Sequence, residues 1–590
     1  MNILMDTIRI TGFRGIDHLE MTFSRITVLI GTNNSGKTSV LKALQLALGD
    51  YSRYISEEDF YIGPDEKRVQ EILIDIRIIP VDDRGERKKI FDDEWLIEFG
   101  DKIQAETNGK QFLALRTRCK PDLIKGGFDT LHFTLDKWSG TDAWKTEKFK
   151  ETKITGHFFS IPFILIEAQR DIHQDLKDKF SFVSKILSRV EYEQDDIKEL
   201  EKLIKEVNEE AVNKSSELQG LKEHLNNLNR SFQGSGYAEI TPFPKRIRDL
   251  SKHFTIHFGE STGNSFSMEY HGMGTRSWAS ILTVTAFIEL MYAKHRREEK
   301  PFYPIFATEE PEAHLHPNAQ KTIYCQLSES KGQVVISTHS PYIAAMADIT
   351  FIRSLRKESD GIVVKELSRI VSNRDKKILK REIMIKRSEI LFSRALILCE
   401  GITEEQVIPA MFEIYSGKSL YSLGVCCISV GGKNYSPFVR LSCSLGIPTY
   451  IISDNDGSTK IEIEAQLRRL KKESALSLGS EIFGISYLTF GHDFEEELLM
   501  QLKLKEEIIS AIVLSETKGS ENLRYRAAKQ REIAMMSEGN ILHKLRTSKA
   551  EYSGFLADML SENKNSKEIS TLLPIAVIDA FDTVKGWLSI

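Results

Sequence analysis

Short, unbroken apolar runs that stop at acids or glycines set the pattern of this chain. Ile26-Thr27-Val28-Leu29-Ile30, Ile305-Phe306-Ala307-Thr308, Val334-Val335-Ile336, Ala395-Leu396-Ile397-Leu398-Cys399 and Thr449-Tyr450-Ile451-Ile452 each predict a buried strand. Helical periods lie between them: Ser39 to Leu48, stopped by Gly49, and Trp278 to Leu290. Between about 190 and 232 the chain is polar and free of proline. There Leu200, Leu203, Ile204 and Val207, then Leu218, Leu221, Leu225 and Leu228, step by i, i+3, i+4, i+7, which predicts a pair of helices forming an arm. The alternation of strands and helices makes the fold class α/β.

A chain of 590 residues is too long for one core, so two to four domains are expected. The texture divides it into a β/α opening over 1–175, a helical insertion over 176–249 and a return of β/α structure over 250–370. A basic linker follows over 371–390, with Arg374, Lys376, Lys377, Lys380, Arg381, Lys386 and Arg387, able to touch a phosphate backbone or simply to form a solvated helix face. A second α/β unit with a helical extension fills 391–590.

Composition narrows the picture little. The 41% hydrophobic and 28% charged fractions are those of an ordinary globular protein, and a net charge of −5 leaves nucleic-acid contact to local patches. The six cysteines show no C-x-x-C spacing, and Cys325 and Cys399 in apolar stretches are expected as packed thiols. No apolar stretch reaches membrane-spanning length and the N-terminus opens directly on the strand-like Thr7–Thr11, so a cytoplasmic protein without membrane contact is expected.

Chemistry enters where the runs end. After the first comes Gly31-Thr32-Asn33-Asn34-Ser35-Gly36-Lys37-Thr38, a phosphate-binding loop between strand and helix. Its glycines let backbone N–H groups face phosphate oxygens, Lys37 reaches the terminal phosphates and Thr38 can hold Mg²⁺, so ATP is expected. The run at 305–308 ends in Glu309 and Glu310, the first suited to Mg²⁺ and the second to orienting the attacking water. The run at 334–336 leads to His339, placed to sense a γ-phosphate. His314 and His316 lack partners at ligand spacing and are expected as loop structure.

A second acidic set follows. Glu400 ends one strand, and Thr403 with Gln406 predicts a capping box that opens the next helix and carries Glu404. Asp454 and Asp456 follow another strand, where a period of two points both one way. Four such carboxylates repel, so Mg²⁺ or Mn²⁺ is the expected partner. An EF-hand is excluded, because position twelve counted from Asp454 is Ala465.

The runs Glu309-Glu310-Pro311-Glu312-Ala313-His314-Leu315-His316-Pro317 and Ser337-Thr338-His339-Ser340-Pro341, with Ile10-Thr11-Gly12-Phe13-Arg14-Gly15, resemble ABC-type ATPases of the RecF and structural-maintenance-of-chromosomes kind. That resemblance implies a site shared between subunits. A signature loop is sought in His271–Ser277, where Gly274 and Ser277 would meet a partner's ATP. Glu167–Asp171 is a candidate glutamine loop, or equally a strand-end turn. The Glu400-Gly401-x-x-Glu404 and Asp454-x-Asp456 pair resembles a Toprim domain, and the whole order resembles the OLD (overcoming lysogenisation defect) family of nucleases. The resemblance implies a further acid, Asp493 or Glu495, and a late lysine, Lys549. Glycine-rich Val430–Asn434 would grip a phosphate. It further implies a metal-dependent DNA endonuclease controlled by ATP, a homodimer or higher oligomer joined through its ATPase domains and helical arm, and action against invading DNA. A companion protein or nucleic-acid cofactor is possible. A repair clamp that binds without cutting is the alternative, and 524–531, with Arg524, Tyr525, Arg526, Lys529 and Arg531, suits DNA contact or an exposed helix face equally.

Overall fold

The computed structural model describes residues 2–49, 55–122, 126–140, 144, 149–155, 158–168, 194–231, 242, 257–259, 265–267, 270–358, 361–367, 373–474, 479–500, 504–518, 522–562 and 573–589. The candidate glutamine at 169 lies outside them.

Among the described residues three larger sheets form. The opening strand Asn2–Phe13 and its neighbours build an antiparallel sheet that packs one face on the helix Lys37–Leu48. That helix rests by its other side on a second sheet, where the phosphate-loop strand Ile26–Ile30 lies parallel between Gln333–Ser337 and Ile352–Glu358. Ile305–Glu309 and Phe163–Ile166 extend it in parallel, and Gly361–Glu366 closes the far edge antiparallel. The C-terminal sheet is wholly parallel, in the order Val425–Ser429, Ala395–Cys399, Thr449–Ser453, Phe483–Tyr487. From Ala395–Cys399 the chain adds Val425–Ser429 on one side and then Thr449–Ser453 on the other, so a crevice opens between the carboxyl ends of Ala395–Cys399 and Thr449–Ser453, where open parallel sheets bind ligands. Helices Gln194–Lys214 and Ser216–Ser231 follow one another across Ser215, and Leu200, Leu203, Val207 and Leu221 of the predicted apolar stripe are exposed.

The segment expected as a basic linker is built into the core. Leu379, Ile383, Met384, Ile390 and Leu391 are buried in one apolar cluster that runs from Val28 and Ile336 of the phosphate-loop sheet to Leu396, Leu398 and Ile428 of the C-terminal sheet. Arg374, Lys377 and Arg381 stay outside along one groove, while Arg387 turns toward the C-terminal sheet. Cys399 is buried as expected, but Cys325 is exposed. The helix Pro317–Glu329 turns Ile323, Tyr324 and Leu327 inward, and at 3.6 residues per turn the position after Tyr324 faces away from them.

Candidate functional site

In the phosphate loop Gly36 sits at φ 96° before the helix, and Gly31 packs so close that a Cβ would stand 2.4 Å from the Leu355 carbonyl oxygen. No other residue fits either place. Lys37 is buried and folds over the loop, its ammonium donating to the carbonyls of Gly31 and Thr32, 2.9 Å each. Burial pulls its pKa down to about 8 against the opposing charges of Glu310, Glu309 and Glu312. Asn33 and Asn34 are exposed, Ser35 is buried, and Thr38 donates its hydroxyl proton to Glu309. Glu310 holds a left-handed backbone, φ 44°, with its carboxylate 3.8 Å from His339 Nε2. Such a backbone in a non-glycine residue is a strain that clusters at functional sites. Burial and the charge of Lys37 hold the His339 imidazolium below its ordinary pKa.

Glu312 escaped the sequence reading although it stands in the same motif. Its carboxylate accepts from the Thr338 hydroxyl at 2.8 Å and from the His339 N–H at 2.7 Å, so it fixes the histidine's backbone, and burial raises its pKa. Gly274 lies in the first turn of the helix Met273–Arg297, packed on the His314 carbonyl. Ser277 is buried at 1% exposure, so its hydroxyl faces the packing of this chain; reading it as a donor to a partner's nucleotide does not fit this conformation. His316 caps the helix that follows it, the structural part expected of that histidine pair.

The acidic set gathers at the crevice of the C-terminal sheet. Gly401 is the N-cap of the helix Ile402–Ser416, and the Glu404 carboxylate reaches back to accept its N–H at 3.2 Å. The expected Thr403–Gln406 box is therefore displaced by two residues. Thr403 is free to donate to Glu495 Oε1 at 2.8 Å, and Gln406 accepts from Ser553 at 2.5 Å. The strand Thr449–Ser453 stops before Asp454, so the period-two argument does not apply. Asp454 turns inward, 8% exposed, whereas Asp456 is half exposed beside Lys433 at 3.4 Å and Thr459 at 2.5 Å.

The electrostatics separate these acids. Burial, then the charges of Glu404, Glu400, Asp493 and Glu495, pushes Asp454 up to about 9. Burial, with the Glu495 charge adding to it, lifts Glu404 to about 7. Glu400 is raised by burial and by Asp456 against Lys433, and one of its buried carboxylate oxygens, Oε2, has no hydrogen-bond partner. Asp456 goes the other way, lowered by the Thr459 hydroxyl and by Lys433. Glu495 is fully buried and held by Lys549 at 2.9 Å. Asp493 accepts from Arg546 at 2.7 Å, and the same guanidinium reaches Glu496 at 3.1 Å. Arg546 had no motif to mark it. Among the described residues no three acidic, histidine or cysteine side chains stand close enough together to hold a metal ion as they are. Lys549, Arg546 and Lys433 engage Glu495, Asp493 and Asp456 instead. A buried, mutually repelling carboxylate set with an unpartnered oxygen is nonetheless a donor set suited to a hard divalent cation.

A phosphate-loop ATPase whose core continues into a Toprim-type acidic crevice is the class that fold and sites define. The chain belongs to the OLD family, carrying an AAA ATPase domain matched over residues 4–344 and an overcoming lysogenization defect protein-like TOPRIM domain matched over 391–456. It is 24% identical over 481 residues to the Old nuclease of Escherichia phage P2, which spans 77% of this chain and 78% of that protein. It is 22% identical over 473 residues to the uncharacterized protein YbjD of Escherichia coli (strain K12), spanning 78% and 80%. The C-terminal region of the Xanthomonas campestris pv. campestris OLD protein aligns with 34% of this chain and 96% of its own, at 23% identity and a TM-score of 0.24. Among the described residues no helix is long and apolar enough to cross a membrane.

Proposed function

We propose that the protein is an ATP-controlled DNA endonuclease dependent on Mg²⁺ or Mn²⁺, acting in the cytoplasm as a homodimer or larger assembly against invading DNA. The observation that carries this reading is the placing of buried Asp454 and Glu404 with half-buried Glu400 at the crevice of a parallel sheet, each with its pKa raised. Folding keeps those acids together at a cost, which is characteristic of functional clefts. Glu400, Glu404, Asp454 and Asp456 would hold the cation, with Asp493 and Glu495 behind them. When bound, the cation supplies Lewis acidity and a more acidic water at the phosphodiester. Lys549 and Arg546, now spent on Glu495 and Asp493, would turn part of their charge to the phosphate as negative charge grows there. Lys433 would bind a neighbouring phosphate.

At the ATPase site Gly31 to Thr38 would cradle the triphosphate, with Mg²⁺ on Thr38 and Glu309. Glu310 would orient the hydrolytic water and His339 would meet the γ-phosphate, with Gly274 of a second subunit lying over the nucleotide. Two contacts support control of one site by the other. Arg356, on the strand beside the phosphate loop, donates to the Leu445 carbonyl at 2.8 Å and the Ser393 carbonyl at 3.4 Å. The helix Pro341–Met346, which begins two residues after His339, packs on the segment 380–392, whose Arg387 donates to the Ser429 carbonyl at 2.8 Å and to Glu405 at 3.0 Å.

The test is a supercoiled-plasmid assay with Mg²⁺ or Mn²⁺, with and without ATP. Nicking or linearisation by the wild type that is lost in Glu400→Gln and in Asp454→Asn is the expected result. Plasmid left intact with both metals, while DNA still binds, would establish the non-cutting clamp instead.

A further inference from the structure

One exposed aromatic stands at the rim of the acidic crevice. Phe490 is 86% exposed, yet the turn that carries it is tied down from several sides. Asn455, the residue between Asp454 and Asp456, donates its N–H to the His492 carbonyl and accepts from the Gly491 N–H, 3.0 Å each. Its side-chain amide donates to the Leu488 carbonyl at 2.9 Å, and Leu488 in turn donates to the Ser453 carbonyl at 3.0 Å. Buried Glu497 accepts from the Thr489 hydroxyl at 3.0 Å and lies 3.1 Å from His492 Nδ1. Gly491, at φ 89°, makes the sharp bend after the ring, and Asp493 follows two residues later. The acids on both sides thus share a frame with a phenyl ring left in water.

Resting on the nuclease reading, we propose that Phe490 is a nucleobase-stacking residue, taking an unpaired base of the bound strand beside the phosphate to be cut. An acidic cleft repels a polyanion, and the cations nearest it are already engaged by carboxylates. A neutral ring offers attraction that needs no charge, since every base has a π-face. Held in a fixed turn, with two side-chain torsions, it loses little freedom when a base lands on it. The substrate is therefore a strand with a base that is free or readily unpaired at the cleavage point.

The test uses the full chain carrying Glu400→Gln, with Mg²⁺, and a fluorescein-labelled single-stranded oligonucleotide containing one 2-aminopurine. Binding is followed by anisotropy at several salt concentrations, and stacking by quenching of the 2-aminopurine. Phe490→Ala is expected to weaken binding by about 5- to 100-fold and to relieve the quenching, without changing the salt slope. Phe490→Trp should restore both and Phe490→Leu neither. Equal binding by Phe490→Ala, or full rescue by leucine, overturns the stacking role while leaving the nuclease reading intact. If the parent protein binds no oligonucleotide and the wild type cuts no plasmid, the nuclease reading falls and takes this proposal with it.

Discussion

At the scale of single residues, Asp454 makes the sharpest statement. Its folded pKa of about 9 lies above the ordinary 3.8, and that of Glu404, about 7, above 4.5. At these two groups the folded state binds more protons than the unfolded chain, so their part of the metal-free stability falls as pH rises; between about pH 7 and 8 that slope belongs to Asp454, and above about pH 8 Lys37, lowered to about 8, opposes it. Melting in EDTA between pH 6 and pH 9 should show a falling midpoint that flattens in Asp454→Asn. Mn²⁺ should raise the wild-type midpoint more at pH 9 than at pH 6. Lys549 allows a second check, because its loss leaves the fully buried Glu495 carboxylate without its cation. Lys549→Met is expected to cost about 1–3 kcal/mol in urea unfolding, and adding Glu495→Gln should regain most of it without restoring cleavage. Glu400, Asp454 and Asp456 were legible because they follow apolar runs, Glu404 because it opens a helix, and Asp493 and Glu495 only through the family resemblance. Their partners were not: Thr403 meets Glu495 and Arg546 meets Asp493 across 92 and 53 residues of sequence, a proximity no local pattern encodes.

At the scale of elements, strands and helices followed the hydrophobic pattern, while their ends followed hydrogen bonds the pattern does not contain. The helix expected to open at Thr403 opens at Gly401 because Glu404 can reach back only over a residue without a side chain: a Cβ there would stand 2.9 Å from its carboxylate. Asp456 leaves the direction of Asp454 because the strand ends at Ser453 and Thr459 and Lys433 draw it outward. Cys325 was misplaced for a simpler reason, since an apolar neighbourhood does not say which side of a helix is wet. The phosphate loop's glycines were legible, because close backbone approach dictates them. Gly31→Ala would bring a methyl group against the Leu355 carbonyl, which belongs to a strand and cannot retreat. It is expected to destabilise the fold by about 2 kcal/mol or more and to abolish ATP binding, read by thermal melting and by nucleotide titration.

At the scale of the whole molecule, the two sites sit on sheets joined by one apolar core, with the linker buried inside it. Any movement at the phosphate loop must therefore pass through packed structure on its way to the acidic crevice. The Arg356 and Arg387 contacts are the polar parts of that path. Arg356→Ala and Arg387→Ala are expected to keep nucleotide binding and to bring the effect of ATP on cleavage, of the order of 5- to 150-fold for coupled sites, close to none. Parallel rate measurements with and without ATP decide it. Everything beyond the fold nonetheless depends on the crevice binding a cation. The most direct measurement is a nucleotide-free Mn²⁺ titration followed by the paramagnetic resonance of the free ion. Binding retained by Lys37→Ala and lost by Glu400→Gln combined with Asp454→Asn is the expected result. A wild type that binds no Mn²⁺, or a double variant that binds as the wild type does, would contradict the account.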